Sequence, residues 1–419
     1  MEKRKFSGYL MAVYAVLITM ATLGFGFMTL SLYVPPLLTE LNVSLTAISV
    51  MYTVLSAASM VASFVSGKIT EKIGLKKLVI LGCLSLLVGY VVMYFTTNLV
   101  MLYIAAALIG ISSSWAGVIC IGRITPNWFI EKRGTMLGIV MAASGVGGFI
   151  GAPIISSLMA SAGWRTASLV TFGILVVLTV PAMLLIKEKP ADLNQVPLGY
   201  DENAQKATGG NNVVAEGPTF AQARKSPSFW LYFLFAIAIS MCVSFNGHIS
   251  NAFSVKGFSV VFLGTIVSIQ SISNSAGNIV LGVVNDKFGT KAGLAWCFVC
   301  GLLSMVVMLF AQSNALAITF AVLFGLGQSM KGTLITLVTA RSFGPKAFGQ
   351  MLGIANSISA FMSMIAGIVI AALYDSAGSY TPAIIVIIAA LVIGYIATMA
   401  SFKSYDKLAE KVAAEKVAA

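Results

Sequence analysis

In the stretch FGLGQSMKGTLITLV, residues 324 to 338, one lysine interrupts an uncharged run from about Asn314 to Ala340. Lys331 is a compact cation on a flexible stem, and its natural chemistry is to hold an anion such as a carboxylate. An ionisable side chain at bilayer depth is costly and marks a functional position by default. The alternative is a lysine whose stem snorkels to the surface. Arg123 precedes Pro126, Asn127 and Trp128, which read as a helix end; there a guanidinium serves as an inner gate or anchor beside Glu131, with direct binding the other reading. His248, the only histidine, lies in SFNGHISN. Its ordinary pKa near ~6.5 makes it a protonation switch, and it reads as a substrate or coupling contact or as a hydrogen-bonded packing residue. Gln270, Asn274 and Asn278 recur at i, i+4 and i+8, which lines three amides along one helix face. They either line a pathway or bond helix to helix. Gln328, Asn246, Asn251, Asn356 and Trp115 are polar candidates of the same kind, and Tyr14, Tyr33 and Tyr52 either flank a ligand or sit at helix ends.

No carboxylate lies inside these apolar runs. All 14 acids fall in loops, termini or at the ends of runs, from Glu2, Glu40 and Glu71 to Asp375, Asp406 and Glu415. The buried Asp or Glu that usually couples ion movement is therefore missing, and an organic cation would lack its counter-charge. The sequence holds no Walker loop, no HExxH and no nucleophile elbow, so neither ATP-driven pumping nor enzyme chemistry is expected. Cys83, Cys120, Cys242, Cys297 and Cys300 all fall in apolar runs, where thiols behave as small hydrophobes. We expect no disulfide, no metal and no cofactor.

The elements that must position these groups are membrane spans. The 419 residues are 58% hydrophobic and only 10% charged, with a mean hydropathy of +0.94, which a water-soluble surface could not carry. At roughly 20 apolar residues per helical crossing, twelve spans are predicted near 9–37, 46–66, 78–96, 99–125, 135–160, 166–186, 227–255, 259–284, 292–311, 315–339, 350–374 and 379–402. The basic start MEKRKFSGYL resembles a signal peptide flank, but the apolar stretch after it is too long for an h-region, so it is expected to remain as the first span. If the tenth span centres near residue 327, Lys331 lies about 6 Å inward of the midplane, at roughly 1.5 Å per residue.

The net charge of +12 follows the same map. With the N-terminus inside, 22 of the 26 basic residues fall on inner segments, only Arg165 and Lys256 fall outside, and Arg123 and Lys331 lie within spans. The positive-inside rule then predicts cytoplasmic termini in a plasma, or bacterial cytoplasmic, membrane, with lipid as partner and no nucleic acid. The polar stretch 187–226 separates six spans from six and cannot supply a core. This predicts an N-terminal bundle at 1–186, a cytoplasmic linker at 187–226, a C-terminal bundle at 227–402 and a cytoplasmic tail at 403–419. The tail AEKVAAEKVAA favours a solvated helix.

The halves repeat at a fixed offset of 215. GKITEKIGLKK (67 to 77) matches GVVNDKFGTKA (282 to 292), GTMLG (134 to 138) matches GQMLG (349 to 353), and Gly110, Ser114 and Gly117 match Gly325, Ser329 and Gly332. Two parallel six-helix halves follow, an arrangement that places a substrate site near the midplane between them. The paired motif GxxxEKxG and GxxxDKxG resembles the loop signature of the major facilitator superfamily, as does the Gly-rich SGVGGFIGAP at 144 to 153. The resemblance covers nearly the whole chain. It implies an all-α membrane fold of twelve transmembrane helices in two pseudo-symmetric six-helix bundles, working by alternating access. It also implies that Gly67, Glu71, Lys72, Gly74, Gly282, Asp286, Lys287 and Gly289 gate or brace the inner face, with Gly67 and Gly282 letting helices approach closely. More narrowly, NWFIEKRGTMLGIVMAASGVGG, GWR at 163 to 165 and KSPSFWLYF at 225 to 233 resemble the monocarboxylate transporter and oxalate:formate antiporter branch, whose members carry small organic anions. Where that branch often has an arginine in the eighth span this chain has Asn278, and where the oxalate exchanger has a lysine in the eleventh it has Asn356.

The expected function is secondary transport of a small organic anion, a mono- or dicarboxylate, held by Lys331, by anion exchange or proton-linked symport, in a carrier acting as a monomer. An exporter of amphipathic or drug-like compounds and a non-transporting receptor are the rival readings.

Overall fold

The computed structural model describes residues 7–118, 127–129, 133–193, 195–198, 222 and 225–418. These are almost wholly helical, and the outward faces carry large apolar side chains such as Phe64, Val177, Ile279, Phe310 and Ile396, as a bilayer demands. Among the described residues, nine helices are long and apolar enough to cross a membrane. Two of them, Arg133–Leu185 and Val260–Phe310, are each two spans broken at a single glycine, Gly163 and Gly289. A further crossing is the pair Asn314–Met330 and Thr333–Phe343, bent by 40°. Together these account for twelve spans.

Several expected loops are absent because glycine turns the chain without one. Gly74 and Gly289 have φ of 83° and 80° with ψ of 156° and 170°, a region that essentially only glycine occupies. The helices therefore run through the inner motifs: Gly67, Glu71 and Lys72 lie on Leu45–Ile73, and Gly282, Asp286 and Lys287 lie on Val260–Phe310. The gap expected between the tenth and eleventh spans is also helical, within Thr333–Ala377, and the last helix, Thr381–Ala418, runs on through the tail.

The 215-residue repeat is visible in the backbone itself. Among the described residues, positive φ occurs at Asn42, Gly74 and Gly163 and at Gly257, Gly289 and Gly378, which are three pairs at that offset. Helix starts repeat as well. Asn98 accepts from the amide of Met101 at 3.0 Å and Ser313 from that of Leu316 at 3.3 Å. Likewise Ser44 accepts from Ala47 at 3.2 Å and Ser259 from Phe262 at 3.4 Å. Each N-cap satisfies an amide that the helix cannot.

The chain divides into two compact units. Unit 1 comprises Met1–Val43, Val50–Asn212 and Phe253–Ser271. Its first crossing departs from α geometry over Met20–Met28 and Leu30–Tyr33, and Tyr90 donates there to the carbonyl of Gly26 at 3.1 Å. Gly24 and Gly147 bring this segment against the fifth span; a Cβ on Gly24 would lie 2.6 Å from the Cα of Gly147. The start of the linker docks on this unit, with Trp128 donating to the carbonyl of Lys187 at 3.0 Å and Gln195 bonding Ser7. Unit 2 comprises Ser44–Ser49, Val213–Ala252 and Ile272–Ala419, with helix Pro227–Ser244 packed on Thr333–Ala377 and Thr381–Ala418. Tyr232 and Thr339 share a hydrogen bond of 2.7 Å, and Ser228 donates to the carbonyl of Ser401.

Replacing Gly74 or Gly289 by alanine is expected to lower stability by about 1–3 kcal/mol each. Gly173→Ala, where an added Cβ meets nothing within 4 Å, is expected to be neutral or mildly stabilising. Thermal unfolding of the purified proteins in one detergent checks this; equal melting of all three variants would contradict the backbone argument.

Candidate functional site

The polar groups of unit 2 are best understood against their repeat counterparts in unit 1. There the second and fourth spans meet through serines: Ser113 donates to Ser59 at 3.2 Å, and Ser63 and Ser114 lie 2.7 Å apart. Trp115 donates from Nε1 to the carbonyl of Ala62 at 2.9 Å. These short side chains satisfy one another, which is what a polar cluster in a bilayer requires. At the offset of 215, Ser59 and Ser63 become Asn274 and Asn278, Ser113 becomes Gln328, and Ala116 becomes Lys331.

The enlarged version does not close on itself. Thr333 Oγ1 donates to Asn278 Oδ1 at 3.1 Å, and Asn278 Nδ2 donates to the carbonyl of Asn274 at 3.0 Å. Gln328 Nε2, by contrast, is buried without a partner. The two helices come this close because Gly277 faces Leu326, whose carbonyl oxygen would lie 2.6 Å from a Cβ placed on Gly277.

Lys331 sits where the tenth span breaks. Helix Asn314–Gly327 tightens into the 3₁₀ turn Gln328–Met330, the amide of Lys331 bonds the carbonyl of Gln328 at 3.2 Å, and α-helix resumes at Thr333. The equivalent place in unit 1 is also irregular, a π-turn over Ser113–Val118. Lys331 is exposed, and neither ion pair seen among the described residues, Arg165–Glu40 and Arg341–Asp406, involves it. An exposed ammonium and, three residues before it, an amide N–H without a partner are two donors, and donors are the chemistry an anion requires.

The remaining candidates are placed apart from this cluster. His248 ends the 3₁₀ turn Phe245–His248 of unit 2, fully buried, with Nε2 3.1 Å from the carbonyl oxygen of Gly367. Asn246 is half-buried in the same turn, and Asn251 donates to the hydroxyl of Tyr380 at 2.9 Å. Gln270 is buried and counts with unit 1. Tyr33, also in unit 1, is buried with its hydroxyl 3.3 Å from that of Thr171, so in this conformation it packs within its own bundle. Arg123, Glu131 and the side chain of Asn356 lie outside the described residues. The residue that sequence reasoning passed over is Thr333, and the signal was available: it is two positions beyond Lys331 on a helix already paired with the amide stripe by the repeat.

The inner motif differs from expectation in one respect. A Cβ on Gly67 or Gly282 would meet nothing within 4 Å, so neither glycine supports a close helix approach in this conformation. What braces unit 1 near the inner motif is Lys76, donating to the carbonyl of Leu184 at 2.7 Å, and Glu188, accepting from the amide of Leu75 at 3.2 Å. At the other end of this bundle Glu40 accepts from both Trp164 and Arg165, and Arg165 also donates to the carbonyl of Thr96 at 2.8 Å.

A chain of twelve apolar crossings, repeated in halves and carrying an unpaired cation at a helix break, is a membrane transporter. The family model described as Major Facilitator Superfamily matches residues 16–258 and 248–418, and the chain belongs to that superfamily. It is thus an integral membrane transporter and not an enzyme. Among its relatives are the MFS-type transporter YhjX of Escherichia coli, 23% identical over 74% of this chain and 75% of YhjX, and monocarboxylate transporter 12 of Rattus norvegicus, 22% identical over 80% of this chain and 73% of that one. The oxalate:formate antiporter of Oxalobacter formigenes is 26% identical over 68% of this chain and 65% of its own length. These relatives agree with the resemblance to the monocarboxylate and oxalate:formate branch. In fold the chain is similar to the nucleoside transporter NupG, with a TM-score of 0.72 at 14% identity, covering 94% of this chain and 99% of NupG. It is similar also to a bacterial homolog of the human lysosomal transporter Spinster, with a TM-score of 0.70 at 11% identity over 97% and 98% of the two chains.

Because Gln328 Nε2 is buried and unsatisfied, Gln328→Met is expected to stabilise the empty protein by about 1–2 kcal/mol while weakening anion transport. Thermal unfolding and vesicle uptake measured on the same preparation check the two halves of this expectation. A destabilised variant would show that the amide already has a partner.

Proposed function

We propose that this transporter is a secondary carrier that moves a small organic anion, a mono- or dicarboxylate, across the cytoplasmic membrane by alternating access. The observation that carries the reading is Lys331: exposed at the break of the tenth span, without a carboxylate partner, and three residues from the unpartnered donor of Gln328. The relatives named for monocarboxylate transport and for oxalate:formate antiport support the same cargo class. The excess of basic residues on alternate segments supports cytoplasmic termini, with 1–186 and 227–402 as the bundles, 187–226 as the linker and 403–419 as the tail. The carrier acts as a monomer surrounded by lipid.

The charge arithmetic favours movement of the loaded form. An unpaired ammonium is costly to carry through a low-dielectric interior, and a bound carboxylate cancels it. The carrier therefore exchanges one anion for another, and a proton taken along with each anion is the alternative coupling.

Proteoliposomes loaded with formate, lactate or oxalate are expected to show counterflow of at least one labelled counterpart. With Lys331→Gln that counterflow is expected to fall at least tenfold, about 1.4 kcal/mol or more of transition-state stabilisation. Undiminished exchange in the glutamine variant would return Lys331 to a snorkelling role.

A further inference from the structure

We propose that His248 is the proton site of this carrier, with Nδ1 the atom that takes the proton, so that anion and proton are carried together. The proposal rests on the anion reading of Lys331. It starts from the repeat: the turn Phe245–His248 corresponds at the offset of 215 to the turn Leu30–Tyr33, both 3₁₀. In unit 1 the closing side chain, Tyr33, finds Thr171. In unit 2 the same position is left open by one atom.

The tautomer follows from the partner. A backbone carbonyl can only accept, so the contact of 3.1 Å between Nε2 and the oxygen of Gly367 puts the hydrogen on Nε2. In the neutral ring Nδ1 is then a bare lone pair, and it is buried with no donor, in a side chain that is 1% exposed. A buried acceptor without a partner is a standing cost that a proton removes.

The surroundings of the ring are aromatic. The rings of Phe245 and Tyr380 lie 6.4 and 6.1 Å from the imidazole, and Phe320 and Phe324 pack around Phe245. These rings make the wall around the imidazole apolar, so Nδ1 has no competing polar partner there. The facing titratable groups are Tyr380, whose hydroxyl accepts from Asn251, and Asp375 on the helix Thr333–Ala377, whose charge acts on the ring. Asp375 is itself held by the amides of Leu45 and Thr46 and by the Thr46 hydroxyl, at 3.2, 2.9 and 2.5 Å. The helical segment that carries His248, Pro227–Val255, contributes no charge.

In the empty carrier the contact to Gly367 is that of the neutral ring with its hydrogen on Nε2. A carboxylate bound in unit 2, which also holds Lys331, adds a negative charge whose influence is strong in a low dielectric. Proton and anion thus raise each other's affinity, and by linkage the effect is reciprocal. The proton passes from water on one side to Nδ1 and from Nδ1 to water on the other. No other bond changes; with a monocarboxylate the pair adds no net charge to the carrier, and with a dicarboxylate it adds one negative charge, which the ammonium of Lys331 offsets.

Because His248 is the only histidine, ¹⁵N-imidazole spectra of protein purified without a histidine tag report on it alone. Without added carboxylate the neutral Nε2–H form is expected, and formate, lactate or oxalate is expected to raise the protonation midpoint by about one pH unit, a tenfold gain in proton affinity. His248→Gln keeps a donor for Gly367. In vesicles it is expected to lose about tenfold or more of the uptake driven by an outside-acid gradient, and the remaining counterflow is expected to lose its dependence on pH. A ring that stays neutral at every pH with each anion, or undiminished gradient-driven uptake in the glutamine variant, overturns the proposal. If wild-type vesicles show no counterflow of the three anions, the anion reading falls, and the nitrogen spectra recorded against pH alone still decide whether Nδ1 takes a proton.

Discussion

Inside a bilayer no water is at hand to satisfy a polar atom, so each one must find its partner within the chain or stand exposed to a function. That constraint shapes nearly everything seen here. It makes the chain helical and turns hydroxyls back onto their own helices, as with Thr22 on the carbonyl of Ile18 at 2.8 Å and Thr339 on that of Ile335 at 2.6 Å. It also places a bonded partner behind a departure from α geometry in the first span, where the carbonyl of Gly26 in the π-turn is taken up by Tyr90. Against this background the groups left over become informative. Among the described residues, Gln328 Nε2 and His248 Nδ1 are two such groups, both in unit 2, and neither ion pair includes Lys331 of the same unit.

The internal repeat supplies the control for that comparison. Two copies of one frame share their helix caps, their positive-φ turns and their irregular segments, so a difference between equivalent positions is a difference of role and not of fold. In unit 1 Ser59, Ser63, Ser113 and Tyr33 are bonded locally; at the equivalent positions of unit 2 Asn278 is bonded too, while Gln328 Nε2 and His248 Nδ1 have no partner among the described residues. Among the described residues, buried polar atoms without a partner occur in both units, on Thr19, Tyr52 and Ser112 in unit 1 and on His248, Trp296, Gln328 and Ser359 in unit 2.

Much of the fold was legible in the sequence. Twelve apolar runs, a charge asymmetry and a constant offset are long-range patterns that survive errors of a few residues at each end. The loops were less legible, because Gly163 and Gly289 reverse the chain in a single residue, so that the polar motif around Gly289 lies on helix and not in a loop. In the candidate site, Lys331 announced itself by charge and Asn274 with Asn278 by helical spacing. What could not be read was satisfaction. Whether Tyr33 or His248 is closed depends on Thr171 and Gly367, 138 and 119 residues away, and only the packing of the bundles brings those partners in. The same holds for Gly67 and Gly282, whose motif suggests close packing while their surroundings leave space.

The central claim is that the unpaired ammonium of Lys331 holds the anion, and direct binding tests it without the complications of transport. Calorimetric titration of the purified protein with formate, lactate and oxalate, repeated on Lys331→Gln and Lys331→Arg, is the measurement to make. The account predicts that at least one of these anions binds the wild type, that the arginine variant retains part of the affinity and that the glutamine variant has none. Unchanged affinity in the glutamine variant would contradict it and place the anion, if one is carried, on other residues.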